Sequence, residues 1–302
     1  MKTEVKEMKT KVKKNKSRLN AVTAFDVILV IIMCLFMATI ILPFIHVIAV
    51  SFSSDAYVQA NEVSFWPVGF NIDTYKQILL HDDRFITAYG NTIFYTVVGT
   101  AASLTCTAMA AYALARRKMV GQNLFSWMIT ITMFFSGGLI PAYMNISNLG
   151  LINNRMVMIL PTLISTWNLI ILRSFFIAYP QEIVESGQID GLQEAGVFFR
   201  LVLPTSKAAL ATIGLYYAVA YWNSYMPARL YLRDADLMPV QHLLQKMLAQ
   251  AGAQQNEETG VRLIEATVRY ASMVITILPI MCVYPWLQKY FVKGVMVGSI
   301  KG

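Results

Sequence analysis

An all-α membrane protein with six transmembrane helices and both termini in the cytoplasm is the fold class that this sequence predicts, and three observations predict it. Apolar side chains make up 56% of the 302 residues and charged ones 14%, a balance poorly suited to water as the only solvent. Six stretches, 27–54, 86–115, 124–144, 156–172, 208–228 and 270–288, contain no Asp, Glu, Lys or Arg. Each approaches or exceeds the roughly 17 to 25 residues that a helix needs to cross about 30 Å of hydrocarbon. The third observation is the placement of charge around these runs.

The spans of a β-barrel would alternate over about ten residues, whereas these runs are continuous. The first is too long for a signal-peptide core and lacks a small-residue cleavage pattern close behind it, so it is expected to be retained. Ahead of it lies a basic tail, 1–23, with Lys2, Lys6, Lys9, Lys11, Lys13, Lys14, Lys16 and Arg18. With that tail in the cytoplasm, Arg116, Arg117, Lys118, Arg173, Arg200, Lys207, Lys289, Lys293 and Lys301 fall on the same side, while Asp55, Glu62, Asp73, Asp82 and Asp83 fall outside. The positive-inside rule therefore places both termini inside. The net charge of +8 reads as contact with anionic lipid, since no nucleic-acid-binding motif accompanies it.

The chain then divides into the tail 1–23, a transmembrane domain over 24–291 and a cytoplasmic tail over 292–302. External loops are expected at 55–85 and 229–269. In the first, Trp66-Pro67 and Gly69 interrupt the chain before a short helix with Asp73 as its N-cap candidate. The second is too long for a simple connector; it contains an amphipathic helix near "PVQHLLQKMLAQ" and then a flexible "AGAQQNEETG". Cys34, Cys106 and Cys282 lie within spans at spacings too wide for a metal site, and are expected to pack as buried reduced thiols. Pro43, Pro141, Pro161, Pro279 and Pro285 lie in or near spans, where they kink helices either along a pathway or as ordinary structural bends.

Between the fourth and fifth runs, 178–207 forms a cytoplasmic loop. Pro180 sets a helix start, "QEIVESGQ" supplies about two turns, and Asp190-Gly191 supplies a turn. Leu192, Ala195, Phe199 and Val202 then recur at helical spacing as an apolar stripe. The result is a helix-turn-helix elbow. No phosphate cradle of the form G-x-x-x-x-G-K-[ST] occurs, nor H-E-x-x-H, and His46, His81 and His242 are far apart in sequence. The span interiors hold no ionisable group except His46, which disfavours an ion-coupled carrier.

Glu185-Ser186-Gly187, Asp190-Gly191, Phe198/Phe199 and Leu203-Pro204 together resemble the EAA loop of bacterial ABC importer permeases. The end "QKYFVKGVMVGSIKG" resembles the tail of the maltose-type carbohydrate uptake family, in its shorter permease subunit. "FSGGLIPAYM" at 135–144 further resembles the branch of Gram-positive bacteria that imports complex oligosaccharides. The similarity runs from about Asp26 to Gly302. One departure stands out: Ser186-Gly187 replaces the paired alanines.

This resemblance implies a type I ABC importer permease fold in a bacterial cell membrane and an alternating-access mechanism. It implies a homologous partner permease, two ATPase subunits and an extracellular sugar-binding protein, with no nucleic acid. The permease is then no enzyme; ATP and Mg belong to the partner ATPase, and this chain binds no cofactor. By the same resemblance Glu185, Ser186, Gly187, Asp190, Gly191, Phe198, Leu203 and Pro204 couple to the ATPase, and the extreme tail with Lys301 and Gly302 reaches between its subunits. A permease for a non-sugar solute is the alternative; a membrane enzyme or scaffold is a more distant one.

Sugars are held by aromatic faces and by amides and hydroxyls that match their OH groups. Candidates within spans are Asn91, Tyr95, Trp167, Asn168, Tyr221, Trp222, Asn223 and Tyr225, of which Asn168 and Asn223 are favoured because an amide in lipid needs a partner or a wet cavity. Interhelical hydrogen bonding and packing are the competing roles for each.

Overall fold

The computed structural model describes residues 24–116, 119–253 and 266–298. Among them the chain is helical, with no β-strand. It forms two compact units, Met1–Phe70 and Asn71–Gly302.

In the first unit, α1 (Ala24–Ser51) is apolar on all sides, and the part that meets the length and composition of a membrane span, Phe25–Ser51, has none of its most apolar window buried. A helix without a polar face is matched to lipid or to another apolar chain. Pro43 lies inside it. Beyond it comes the short α2 (Asp55–Gln59) and then an irregular segment tied back to α1. Ser64 O lies 2.7 Å from His46 Nδ1, Val68 N donates to Ser53 Oγ at 3.0 Å, and the rings of Phe52 and Phe70 stack at 5.7 Å.

The second unit begins with α3 (Asp73–Lys76) and a π turn, Gln77–His81. Asp73 is the first helical residue rather than the cap, and Asn71 Oδ1 accepts from its N–H. Asp82 caps the next helix, α4 (Asp83–Ala115), accepting from the N–H groups of Arg84 and Phe85. α4 and α14 (Ala266–Gly298) are long enough to span a membrane, α14 through Ala266–Val283. Pro279 and Pro285 sit inside α14.

The other three predicted spans are not continuous helices. α5 (Gln122–Phe134) and α6 (Leu139–Asn148) bend by 117° at the Ser136-Gly137-Gly138 break. Gly138 adopts φ +85°, a conformation glycine reaches without a Cβ clash, whereas Pro141 sits harmlessly in the first turn of α6. Two 3-10 turns, Arg155–Met158 and Leu160–Thr162, precede α7 (Thr166–Ile177) with a 48° bend. The fifth span splits around 223–225 into α11 (Lys207–Trp222) and α12 (Met226–Tyr231). There Asn223 Nδ2 donates to Val219 O and Ser224 Oγ to Tyr221 O, side-chain bonds added to carbonyls that also accept the backbone N–H groups of the same two residues. Among the described residues three helices are long and apolar enough to cross a membrane, or up to six if each bent pair counts as one span, the third such pair being Glu194–Thr205 with α11, bent by 83°.

Between α7 and α11 lie α8 (Gln181–Ile189), α9 (Glu194–Val197), a π turn at Phe198–Val202 and α10 (Leu203–Thr205). α13 (Val240–Ala253) matches the predicted amphipathic helix, and most of "AGAQQNEETG" lies outside the described residues. α4 and α11 make the largest helix contact, through small residues that let backbones approach. Gly99 illustrates the fit, since a Cβ there would come within 2.7 Å of the Tyr221 ring. Contrary to expectation, Cys34 and Cys282 are exposed and Cys106 is half-buried; all three thiols are free.

Candidate functional sites

The elbow is closed by backbone geometry. Gly191 adopts φ +82°, its N–H donates to Gln188 O at 3.1 Å, and Leu192 N donates to Gly187 O at 2.9 Å. This paired closure ends α8 and turns the chain sharply. Val184 and Gly187 face inward; Glu185, Ser186, Ile189 and Asp190 face outward, with Ile189 85% exposed. The tip therefore presents an acid, a small residue and a bare aliphatic side chain on a rigid turn. Ile189 was not among the sequence candidates, and its exposure is the signal that finds it.

The root of the elbow is buried. Phe198 is packed against Tyr112 at 4.9 Å, and Val197 and Val202 complete the contact with α4 and α7. The predicted stripe is thereby corrected: Phe199 and Ala195 are exposed, and the buried set is Val197, Phe198 and Val202. A π turn at Phe198–Val202 inserts extra backbone, which shifts the register that a regular helix would keep. Pro204 is exposed at the exit turn beside the half-buried Leu203. Lys301 and Gly302 lie outside the described residues.

A polar clamp joins elbow to span. Glu194 accepts from Arg116 Nη2 at 2.7 Å, Gln188 Nε2 at 2.9 Å and Tyr112 OH at 3.1 Å. The Arg116 guanidinium also lies 5.5 Å from the Tyr112 ring centre. Beside this clamp is a cavity of about 390 Å³ lined in part by Arg116, Gln122, Tyr179 and Gln181. None of Glu194, Arg116 and Tyr112 was singled out by the sequence, because the acid and its partners are separated by 78 to 82 positions.

A second cavity, of about 490 Å³, is lined by Asn168, Tyr217, Tyr221, Asn223 and Tyr225 among others. Four of the predicted pathway residues, Asn168, Tyr221, Asn223 and Tyr225, meet there. Its wall is braced by hydroxyls: Tyr217 OH is 2.7 Å from Thr107 Oγ1 and accepts from Ser165 N at 2.8 Å, while Tyr221 OH is 2.8 Å from Ser103 Oγ. Tyr225 stacks on His242 at 5.9 Å and receives a 2.7 Å bond from Arg229 Nη1. Burial, then the Lys246 and Arg229 charges, push the His242 imidazole below its ordinary value.

Of the remaining pathway candidates, Asn91, Tyr95 and Trp222 take structural bonds. Asn91 Nδ2 donates to Asp236 O at 2.7 Å and to Met238 O at 3.2 Å, and Tyr95 OH donates to Leu237 O at 2.8 Å. Trp222 is buried, its Nε1 donating to Thr276 O at 3.1 Å. Trp167 is 61% exposed and does not line the cavity. Among the described residues no group of three or more His, Cys, Asp or Glu is arranged to hold a metal.

The family model described as "Binding-protein-dependent transport system inner membrane component" matches residues 103–297. The chain is 39% identical over 282 residues to a polygalacturonan/rhamnogalacturonan transport system permease of Bacillus subtilis, covering 92% of this chain and 98% of that one. It is 41% identical over 268 residues to the LplC protein of the same species, covering 88% and 90%. Among solved structures, a chain of a bacterial ABC transporter involved in import of the acidic polysaccharide alginate superposes with a TM-score of 0.81 at 32% identity, covering 90% of this chain and 98% of that one. Apolar helices of spanning length, a rigid elbow between bent spans and these matches agree: the chain belongs to the family of inner-membrane permease components of binding-protein-dependent ABC transport systems.

Proposed function

We propose that this permease subunit, which is not an enzyme, carries an oligosaccharide across a bacterial cell membrane, with a separate ATPase docking on the elbow. The observation that carries the coupling role is the elbow itself: an exposed tip of Glu185, Ser186, Ile189 and Asp190 on a closed turn, rooted in the core through Phe198. A rigid element gripped at its tip moves the spans to which its root is packed. Both termini are cytoplasmic in this reading, because the elbow then shares the side of the basic tail. A homologous permease, two ATPase subunits and an extracellular binding protein complete the assembly, and ATP with Mg acts on the ATPase alone.

Support for a glycan as cargo comes from the cavity lining of amides, hydroxyls and aromatic rings, the chemistry that sugars need, and from the relatives' substrates. Closure of the ATPase pair would then shift the two ends of the spans in turn, giving alternating access. The loop 246–266, mostly outside the described residues, is placed in this scheme to meet the binding protein.

The test is co-purification with the ATPase. Glu185→Lys reverses the anchoring charge and Gly191→Trp puts a bulky side chain at φ +82°; each is expected to lose the ATPase from the purified complex and to abolish uptake. If both variants keep the ATPase bound and transport intact, the docking assignment is wrong.

A further inference from the structure

Behind Tyr225, which lines the second cavity at the break between α11 and α12, lies a patch of positive charge that does not itself line the cavity. Tyr225 lines the cavity; the Arg229 guanidinium lies 6.0 Å from its ring and bonds its hydroxyl, and His242 stacks on its ring. Arg229 is exposed, as is Lys246, which stands one helical turn beyond His242 on α13. Neither forms an ion pair among the described residues. Of the acids on the adjoining segment, Asp234 turns its carboxylate to Asn153 Nδ2 at 2.8 Å. His242 Nδ1 is buried without a hydrogen-bond partner, a cost that a ligand or bound water would remove.

An arginine that uses one donor on a tyrosine hydroxyl keeps four more, in the planar fork that matches a carboxylate. The nearby lysine adds charge without geometry, and the cluster beside Tyr225 supplies a positive field that concentrates anions. A neutral sugar can accept hydrogen bonds from either cation, but only a carboxylate gains the charge-assisted, bidentate contact. Two of the similar proteins carry or import acidic polymers by description, polygalacturonan and alginate, which agrees with this field without specifying which residues read the acid.

We infer that Arg229, held by Tyr225 and supported by Lys246, is a carboxylate-reading group for uronate units, so that the cargo class is an acidic oligosaccharide. This inference rests on the reading of the chain as a glycan permease. It assigns to α12 and α13 a selective role in addition to that of any binding protein.

The test compares uptake of a uronate disaccharide and its carboxyl-reduced neutral counterpart, using the complex purified with its own partner chains in proteoliposomes. The expected result is uptake of the acid at least tenfold above that of the neutral sugar. In Arg229→Gln the KM for the acid should rise about tenfold with kcat nearly kept, since one charge-assisted bidentate contact is lost. Arg229→Lys should recover part of the loss, and Lys246→Gln should raise the KM severalfold. Tyr225→Phe, which removes the tether but not the cation, separates loss of charge from loss of local order. ATP hydrolysis stimulated by the binding protein monitors assembly throughout. Equal uptake of both sugars by the unaltered complex, or an unchanged KM for the acid in Arg229→Gln, overturns the inference while leaving glycan import standing. Uptake of neither sugar sinks the glycan reading itself.

Discussion

The two ends of α4 hold their neighbours by different chemistry. At the end nearer Asp83, Asn91 and Tyr95 donate to the carbonyls of Asp236, Leu237 and Met238, and Thr92 Oγ1 accepts from Val240 N at 2.8 Å. All three side chains are buried, and every bond is neutral and ends on backbone. At the end nearer Ala115, Tyr112 and Arg116 meet the side chain of Glu194, which is 55% exposed in the ion pair. Buried neutral bonds have no solvent to take their place when broken, whereas an exposed ion pair exchanges with water at small cost. The first end is built as a fixed joint and the second as a joint that can release and re-form.

The fixed joint should give the larger loss of stability. Asn91→Ala removes the two hydrogen bonds of a buried amide and leaves a small void, which should cost about 2 to 3 kcal/mol. Thermal unfolding of the purified protein in detergent measures it. A loss below roughly 0.5 kcal/mol, within the range of an ordinary surface substitution, would mean that water replaces these bonds and that the end is not a fixed joint.

At the releasable joint, stability and coupling should separate. Glu194→Gln keeps an acceptor and the shape but loses the charge, so unfolding should shift by no more than about 1 kcal/mol. Uptake, in contrast, should fall severalfold while ATP hydrolysis continues, because the elbow would no longer pull α4 as it moves. The paired change Arg116→Glu with Glu194→Arg restores opposite charges and should recover part of the uptake. If uptake and hydrolysis fall together in Glu194→Gln, or the exchange recovers nothing, the pair is merely structural.

The contrast also explains what was legible in sequence. The elbow could be read because its parts are contiguous: a turn that needs φ > 0, a small residue where helices approach and an acid at the tip all lie within a few residues. Its far partners could not, since nothing near Arg116 announces Glu194. The break in the third span was written in Ser136-Gly137-Gly138, yet the apolar run around it concealed the bend, because hydropathy reports lipid compatibility and not helix continuity. Likewise Asn91, Tyr95 and Trp222 were sound as polar groups needing partners. Only three-dimensional placement could decide that those partners are carbonyls, while Asn168, Asn223 and Tyr225 reach a cavity.

The smallest expected effect concerns Gly187, buried inside the elbow. A Cβ at this position would approach Leu201 Cδ1 to 2.5 Å, and crowding of that kind costs about 1 to 3 kcal/mol where nothing yields. The atom met is the end of a flexible, half-buried side chain, so the lower limit applies. Alanine in a helix meanwhile gains about 1 kcal/mol over glycine. Gly187→Ala should therefore leave stability within about 1 kcal/mol of the original, with the ATPase still bound. A double-mutant cycle with Leu201→Ala isolates the contact. If Leu201 is what alanine presses on, then Gly187→Ala becomes stabilising once Leu201 is shortened, with a coupling of at least about 0.5 kcal/mol. Strict additivity would show that the glycine does not relieve a clash inside the elbow.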